Sequence, residues 1–163
     1  MSNLNRNKGG HLLRYIAEEL PEIQFRAVQG VYCDQEEEYP ANVRVLPPTP
    51  RFEDLLAGAR MVICPSLYES YGMVAVQACA AGVPVVASGT PGLREALGDA
   101  GWFVPLEQRE MLDYWIQPIK ALMTNDELWE HWSEKARERG KSLAVEEIFS
   151  IEHVISQMEC LVR

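Results

Sequence analysis

The stretch from Met61 to Ser88 constrains the fold of this chain more than any other part of the sequence. It opens with a short apolar run, breaks at Pro65, continues from Gly72 through small helix-forming residues, and ends in the valine-rich run 83–87. This pattern predicts a strand, a loop, a helix and a second strand. Because the second run is apolar throughout, we expect a strand buried on both faces, as in a parallel sheet covered by helices.

The helix predicted inside this stretch begins at Gly72 and carries mostly small side chains, so its backbone can approach the sheet closely. Its amino end faces the carboxyl end of the preceding strand. Unpaired N–H groups and the positive end of the helix dipole meet at such a point, and phosphate is their usual ligand. The stretch therefore predicts an anion site beside Gly72.

Short apolar runs alternate with helical patterns along the rest of the chain. The predicted strands cover residues 23–28, 43–46, 61–64, 83–87 and 101–104, and the predicted helices cover residues 8–20, 52–59, 72–82, 91–97, 110–123, 126–139 and 145–162. Such alternation indicates an α/β fold with a Rossmann-like, doubly wound parallel sheet of at least five strands, followed by C-terminal helices. We expect residues 1–163 to form a single domain, because no second unit is evident.

The charge and composition of the chain argue against several kinds of partner. A net charge of -9 would repel nucleic acid and anionic membranes. No stretch approaches the roughly 20 apolar residues of a transmembrane helix, and no signal peptide pattern precedes the domain. The four cysteines form no C-x-x-C pair and are interpreted as reduced thiols. These features predict a cytoplasmic protein without a transmembrane segment.

Three motifs are similar to those of a known family. The segment from Glu69 to the run AAGVPVVAS resembles the E-x7-E region of family 4 of the retaining GT-B glycosyltransferases, which use nucleotide sugars. NKGG at residues 7–10 is similar to the lysine-glycine loop of that family, and TPGLREALGDAGWFVP at residues 90–105 is similar to its glycine-rich loop and next strand. The resemblance implies that the chain is the C-terminal, donor-binding half of a GT-B enzyme.

Two basic residues near the amino end are candidates for phosphate binding by this resemblance. Lys8 matches the family's phosphate lysine and lies between Asn7 and two glycines that let the backbone bend close. It also lies near a helix start, where the dipole disfavours a cation, and this misfit favours a functional role. Arg6 is the second donor-binding candidate, but it is out of register with the family's arginine, whose place falls nearer Asn3.

The resemblance also assigns roles around the predicted helix start. Glu69 is the candidate catalytic residue, because the family's first glutamate hydrogen-bonds hydroxyls of the donor sugar. Ser70 and Tyr71 would line the sugar. The backbone N–H groups of Gly72, Met73 and Val74 would bind the diphosphate.

Gln77 departs from the family pattern, which has a glutamate here that accepts hydrogen bonds from the ribose hydroxyls. The amide carbonyl of Gln77 can still accept a hydrogen bond. Charge-assisted bonds are roughly twice as strong as neutral ones, so about 1 kcal/mol of donor affinity would be missing. Gln77 is therefore predicted to be a weakened donor-binding residue.

The function implied by the resemblance is transfer of a sugar from a nucleoside diphosphate with retention at the anomeric carbon. The sequence has no D-x-D motif and no metal spacing among its histidines, so we expect neither a metal nor a cofactor. The implied partners are the nucleotide-sugar donor and an N-terminal acceptor-binding domain, without which this domain is expected to be inactive. Two other classes stay open: a catalytically silent nucleotide-sugar-binding module, and a receiver-like or flavodoxin-like signalling domain.

The first strand of such a domain is expected to be cut short. Only MSNLN precedes Arg6, where the family has a buried strand that leads into the lysine loop. In the doubly wound order this strand is central, so its loss would leave a gap between its neighbours. Either residues 2–5 form a stub of strand, or the exposed edges pair in some other way.

Overall fold

The computed structural model describes residues 3–30, 38–49 and 53–161, with side-chain surroundings in these ranges except at position 53 and beyond residue 144. The strands are β1 (Phe25–Val28), β2 (Val43–Leu46), β3 (Val62–Cys64), β4 (Val85–Ser88) and β5 (Gly101–Val104). The helices are α1 (Gly10–Glu19), α2 (Glu53–Leu56), α3 (Met73–Ala80), α4 (Pro91–Leu97), α5 (Asp113–Thr124) and α6 (Asp126–Leu161). Short 3-10 turns are formed by Arg6–Lys8, Gly98–Ala100 and Leu106–Gln108.

The five predicted strands are present, and each pairs in parallel with its neighbours. β1 pairs with β2, where Phe25 lies opposite Val43. β4 lies between β3 and β5, where Val85 is opposite both Val62 and Gly101. Within the three-stranded sheet, α3 connects β3 to β4 and α4 connects β4 to β5, because parallel strands cannot be joined by a tight turn. The predicted α/β, Rossmann-like class is confirmed.

The strands form a two-stranded and a three-stranded sheet in place of one sheet of at least five strands, so the gap expected from a shortened first strand is present. The break falls between β1 and β3, the two strands that flank the central strand in the doubly wound order. A cavity of about 360 Å³ lies there, bordered by Phe25 and Val28 of β1 and by Val62 and Ile63 of β3. The break therefore coincides with the place of the strand that the sequence shortens.

A stub of chain enters this break from the amino end. The backbone N–H of Asn3 donates to the Val28 carbonyl at 2.9 Å, and Asn5 forms an isolated bridge. Leu4, between them, is 1% exposed. Asn3 has a positive φ of 64°, so the stub does not continue as a regular strand. The structure thus supports the first of the two alternatives, with Ser2 outside the described residues.

One hydrophobic core joins the two sheets across the break. Its buried members include Leu4 of the stub, Ala27 of β1, Ile63 of β3, Val86 of β4 and Trp115 of α5. These residues come from both sheets and from the stub. The shared core therefore holds the sheets together where backbone pairing is interrupted.

The small residues of α3 pack closely on the three-stranded sheet. Ala75, Ala78 and Cys79 are buried in a second core cluster with Val85 and Ala87 of β4. Their short side chains leave little between the helix backbone and the sheet. The close approach that the sequence predicts for this helix is confirmed.

α1 begins at Gly10 instead of Lys8, because Lys8 belongs to the 3-10 turn that precedes it. The inward stripe of the helix is buried, as the sequence predicts. At its other end, the Asn42 amide donates to three main-chain carbonyls at 2.9–3.0 Å. These carbonyls belong to Ala17, Leu20 and Ile23. The buried Asn42 side chain therefore fixes the carboxyl end of α1.

The two helices predicted after residue 125 are a single helix, α6. Asn125 begins it by accepting the N–H of Leu128 at 2.9 Å, as a cap residue does. Gly140 does not end the helix but lets it approach α3, since a Cβ there would lie 2.8 Å from the Ala80 Cα. Among the helices of the described residues, none combines the length and apolar character needed to span a membrane.

The turn that leads into α1 packs against the loop after β3. Gly9 has φ +85°, and a Cβ on it would lie 2.4 Å from the Pro65 carbonyl oxygen. The N–H of Leu67 donates to the Asn7 carbonyl at 2.7 Å. Backbone atoms of the two segments are therefore in direct contact.

The stub is expected to be essential for stability. Leu4→Ala should lower the free energy of unfolding by about 2–4 kcal/mol, because it opens a cavity in a core that spans both sheets. Leu67→Ala is the control, since Leu67 is 53% exposed, and it should change stability by less than about 0.5 kcal/mol. Urea unfolding measures both. Equal losses would show that the stub is not packed as described.

The close contact at Gly9 gives a second prediction. Gly58 also has a positive φ, +69°, but a Cβ there would meet nothing within 4 Å. Gly58→Ala should therefore carry only the backbone strain, about 1–2 kcal/mol. Gly9→Ala should cost at least about 1 kcal/mol more, because it also forces Pro65 away. Thermal unfolding of both variants measures these losses. Similar losses of stability for the two variants would contradict the contact between Gly9 and Pro65.

Candidate active site at the carboxyl edge of the sheet

Lys8 and Glu69 meet at the carboxyl edge of the three-stranded sheet. The Lys8 Nζ lies 2.6 Å from the Glu69 Oε2, with side chains 29% and 18% exposed. The Ser66 hydroxyl lies 3.5 Å from the same carboxylate oxygen. The structure therefore brings together the phosphate and sugar candidates that the sequence predicts separately. That they form a direct ion pair was not predicted.

The 3-10 turn sets the position of Lys8. The Asn5 side chain accepts the N–H of Lys8 at 2.9 Å and caps this turn. Gly9 then turns the chain into α1 with a left-handed backbone. Lys8 thus lies on a rigid corner, with its long side chain extended toward Glu69.

Helix α4 sets the position of the loop that carries Glu69. A Cβ on Gly92 would lie 2.3 Å from the Glu69 carbonyl oxygen and 2.5 Å from that of Ser70. The amino end of α4 is itself fixed by Thr90, whose hydroxyl accepts the N–H of Leu93 at 3.3 Å. The absence of a side chain at Gly92 therefore allows this loop to lie directly on α4.

The amino end of α3 follows this loop and carries no side-chain cap. Gly72 precedes the helix with φ +97°, and its carbonyl accepts the N–H groups of Ala75 and Val76. The N–H groups of Met73 and Val74 precede the first helical hydrogen bond, so they are left for another acceptor. This is the arrangement of an anion-binding helix end.

The remaining candidates lie around the same edge. Ser70 is exposed and Tyr71 is half-buried, while Met73 is 60% exposed at the helix start. Gln77 is exposed one turn along α3 from Met73. Arg6 is exposed in the turn before Lys8. Contact of any of these with a donor stays a prediction.

Sequence reasoning missed Arg109, which is 2% exposed below this edge. Its Nε–H donates to the Pro65 carbonyl at 2.7 Å, and its Nη1 is paired with Glu110. Burial lowers the pKa of Arg109, whereas Glu110 acts to raise it and Arg6 to lower it. The segment LEQRE is rich in charge and gives no local signal of burial, so only packing distinguishes this arginine.

Cys64 ends β3 near the site but is not a candidate nucleophile. Burial raises the pKa of its thiol to about 12 and that of Cys79 to about 11. Both are therefore protonated at neutral pH, and the interpretation as reduced thiols holds for them. Cys33 and the Cys160 side chain lie outside the described residues.

Solved structures of similar fold include two with nearly complete coverage of this chain. Sucrose-phosphate synthase from Thermosynechococcus elongatus matches with a TM-score of 0.80 and 20% identity, over 97% of this chain and 44% of that protein. HepE of Anabaena, solved in complex with UDP and glucose, matches with a TM-score of 0.69 and 20% identity, over 91% and 46%. These likenesses confirm the Rossmann-like fold.

Curated relatives are similar over part of the chain. A D-inositol 3-phosphate glycosyltransferase of Geodermatophilus obscurus is 40% identical over 90 residues, 53% of this chain and 19% of that protein. O-antigen chain mannosyltransferase B of Escherichia coli is 34% identical over 103 residues, 63% and 25% respectively. The chain thus spans a quarter or less of the length of these two relatives.

A sequence model of one family covers most of the chain. It is described as glycosyl transferases group 1, and it matches residues 29–139. The matched range includes the Glu69 loop, α3 and α4, whereas Lys8 lies before it. Since more than half of the chain is matched, the chain belongs to the glycosyl transferases group 1 family.

Proposed function

We propose that this chain is the nucleotide-sugar donor-binding domain of a retaining glycosyltransferase. The observation that carries the proposal is the Lys8–Glu69 pair beside the uncapped amino end of α3. A cation and free N–H groups suit a diphosphate, and a carboxylate suits the hydroxyls of a sugar. The three groups therefore match the diphosphate and the sugar of one nucleotide sugar.

Binding of the donor would separate Lys8 from Glu69 and give each of them a new partner on the donor. Lys8 turns from Glu69 to a phosphate oxygen, while Glu69 accepts hydrogen bonds from sugar hydroxyls. Partly exposed ion pairs contribute only about 1 kcal/mol or less, so opening this pair costs little. Both charges keep partners throughout, which avoids the penalty of an unpaired charge.

Transfer breaks the bond between the anomeric carbon and the diphosphate oxygen and forms one to an acceptor hydroxyl oxygen on the same face, and the proton of that hydroxyl is released. Negative charge grows on the departing diphosphate. Lys8 and the N–H groups of Met73 and Val74 would stabilise that charge without a metal, because they are held in place before the reaction. Arg6 lies on the same turn as Lys8 and would add to the positive potential there.

The acceptor is assigned to a second, N-terminal domain of the same enzyme. The chain spans only part of its curated relatives, so complete transfer is proposed for the longer protein alone. The nucleoside diphosphate UDP is a suitable probe, since HepE was solved with UDP and glucose bound.

A donor-binding module that does not catalyse transfer is the second candidate. It is favoured by Gln77, which stands where the family pattern has a glutamate. Binding of the donor without turnover by the longer protein would select this candidate.

The phosphate role of Lys8 can be tested by calorimetry with UDP. Lys8→Ala should weaken binding about tenfold or more, since hydrogen bonds to charged groups contribute about 1.5–3 kcal/mol. Lys120→Ala is the matched control, because Lys120 is an exposed lysine on α5. It should leave the affinity unchanged, and so should replacing magnesium by EDTA. Equal effects of the two variants, or strict dependence on magnesium, would disprove the proposal.

The ribose role of Gln77 has a separate test. Gln77→Glu should tighten UDP binding by about 1 kcal/mol, roughly fivefold, because a charged acceptor replaces a neutral one. With the 2′,3′-dideoxyribose analogue of UDP the gain should vanish or become a small loss through repulsion. If both affinities stay unchanged or improve equally, Gln77 does not contact the ribose.

A further inference from the structure

Arg109 is held from several sides below the site. Its Nε–H donates to the Pro65 carbonyl, and its own carbonyl accepts the indole N–H of the buried Trp115 at 2.8 Å. Its Nη1 donates to the Glu110 carboxylate. Its Nη2 is buried and has no partner within the described residues. Since burying a charged guanidinium is unfavourable, these contacts are what hold its charge at this place.

Glu110 extends these contacts to helix α1. One of its carboxylate oxygens accepts from Arg109, and the other lies 3.1 Å from the His11 Nε2. His11 follows Lys8 by three residues, on the first turn of α1. A chain of contacts therefore runs from the loop after β3, through Arg109 and Glu110, to the segment that carries Lys8.

The Pro65 carbonyl is the point where this chain reaches both halves of the site. It accepts from Arg109, and it is also the atom that leaves no room for a side chain on Gly9. Pro65 begins the loop that carries Glu69, and Gly9 directly follows Lys8. One carbonyl therefore lies against both the Arg109 side chain and the turn that carries Lys8.

We infer that Arg109, Glu110 and His11 form a positioning network that fixes the Lys8 turn against the Glu69 loop before the donor binds. The inference rests on the proposed donor-binding function for its effect on affinity. Its effect on the structure does not depend on any ligand. None of the three residues needs to touch the donor, because each acts through the two loops.

A direct charge effect and a positioning role predict opposite changes in UDP affinity for the same substitution, Glu110→Gln. Glu110→Gln removes a negative charge near a proposed anion site, so direct charge effects alone would tighten UDP binding. A positioning role predicts weaker binding, because a neutral amide holds Arg109 less strongly than a carboxylate and so weakens the link to the Lys8 turn. Glu110 is exposed, so the substitution leaves the core intact.

The experiment compares Glu110→Gln with Glu107→Gln, an exposed glutamate in the neighbouring 3-10 turn. UDP affinity should fall about three- to tenfold in the first variant and stay unchanged or tighten slightly in the control. Unchanged or tighter binding by Glu110→Gln would overturn the inference. Absence of UDP binding by the unsubstituted chain would overturn the proposed function instead.

Hydrogen exchange tests the network without a ligand. The Leu67 amide, which donates to Asn7, joins the two loops directly, whereas the Val62 amide donates to Pro84 within the sheet region. In Glu110→Gln the Leu67 amide should exchange about tenfold faster because the loops separate locally, while the Val62 amide keeps its rate. Unchanged exchange at Leu67, or equal acceleration at both amides, would show that no such positioning exists.

Discussion

Parallel pairing of β3, β4 and β5 is the constraint on which the rest of the structure depends. Parallel neighbours require long connections, so the chain returns through α3 and α4, and the strands end at one common edge. The loops after β3 and β4 therefore reach the same place. Lys8 and Glu69, which are 61 positions apart in the sequence, meet there as an ion pair.

Backbone contacts set the geometry of this edge more than side chains do. Gly9 lies against the Pro65 carbonyl, and Gly92 lies against the carbonyls of Glu69 and Ser70. At each contact a Cβ would be closer than atoms can approach, so the loops are as near as their backbones permit. Such contacts restrict loop motion, and they position the backbone from which the charged side chains extend before any ligand binds.

The local charge at this edge differs from that of the whole chain. The net charge is -9, yet Arg6, Lys8 and Arg109 gather at one place. Glu69 and Glu110 partly neutralise them through direct contacts. These pairs limit repulsion among the cations when no anion is bound, and a diphosphate could take over the role of Glu69.

The sequence alone determined the order and type of most elements, because hydrophobic periodicity and breakers are local properties. The bounds of β2, α4 and β5 match their predicted ranges, and the motifs identify Lys8 and Glu69 although they do not show that the two side chains touch. Only the tertiary structure decided the rest: how the gap left by the short first strand is filled, the continuity of α6 and the burial of Arg109. The physical reason is that a glycine can end a helix or let it pack closely, and an arginine can be solvated or buried. Which of these occurs depends on partners that are distant in sequence, such as α3 for Gly140 and the Pro65 carbonyl for Arg109.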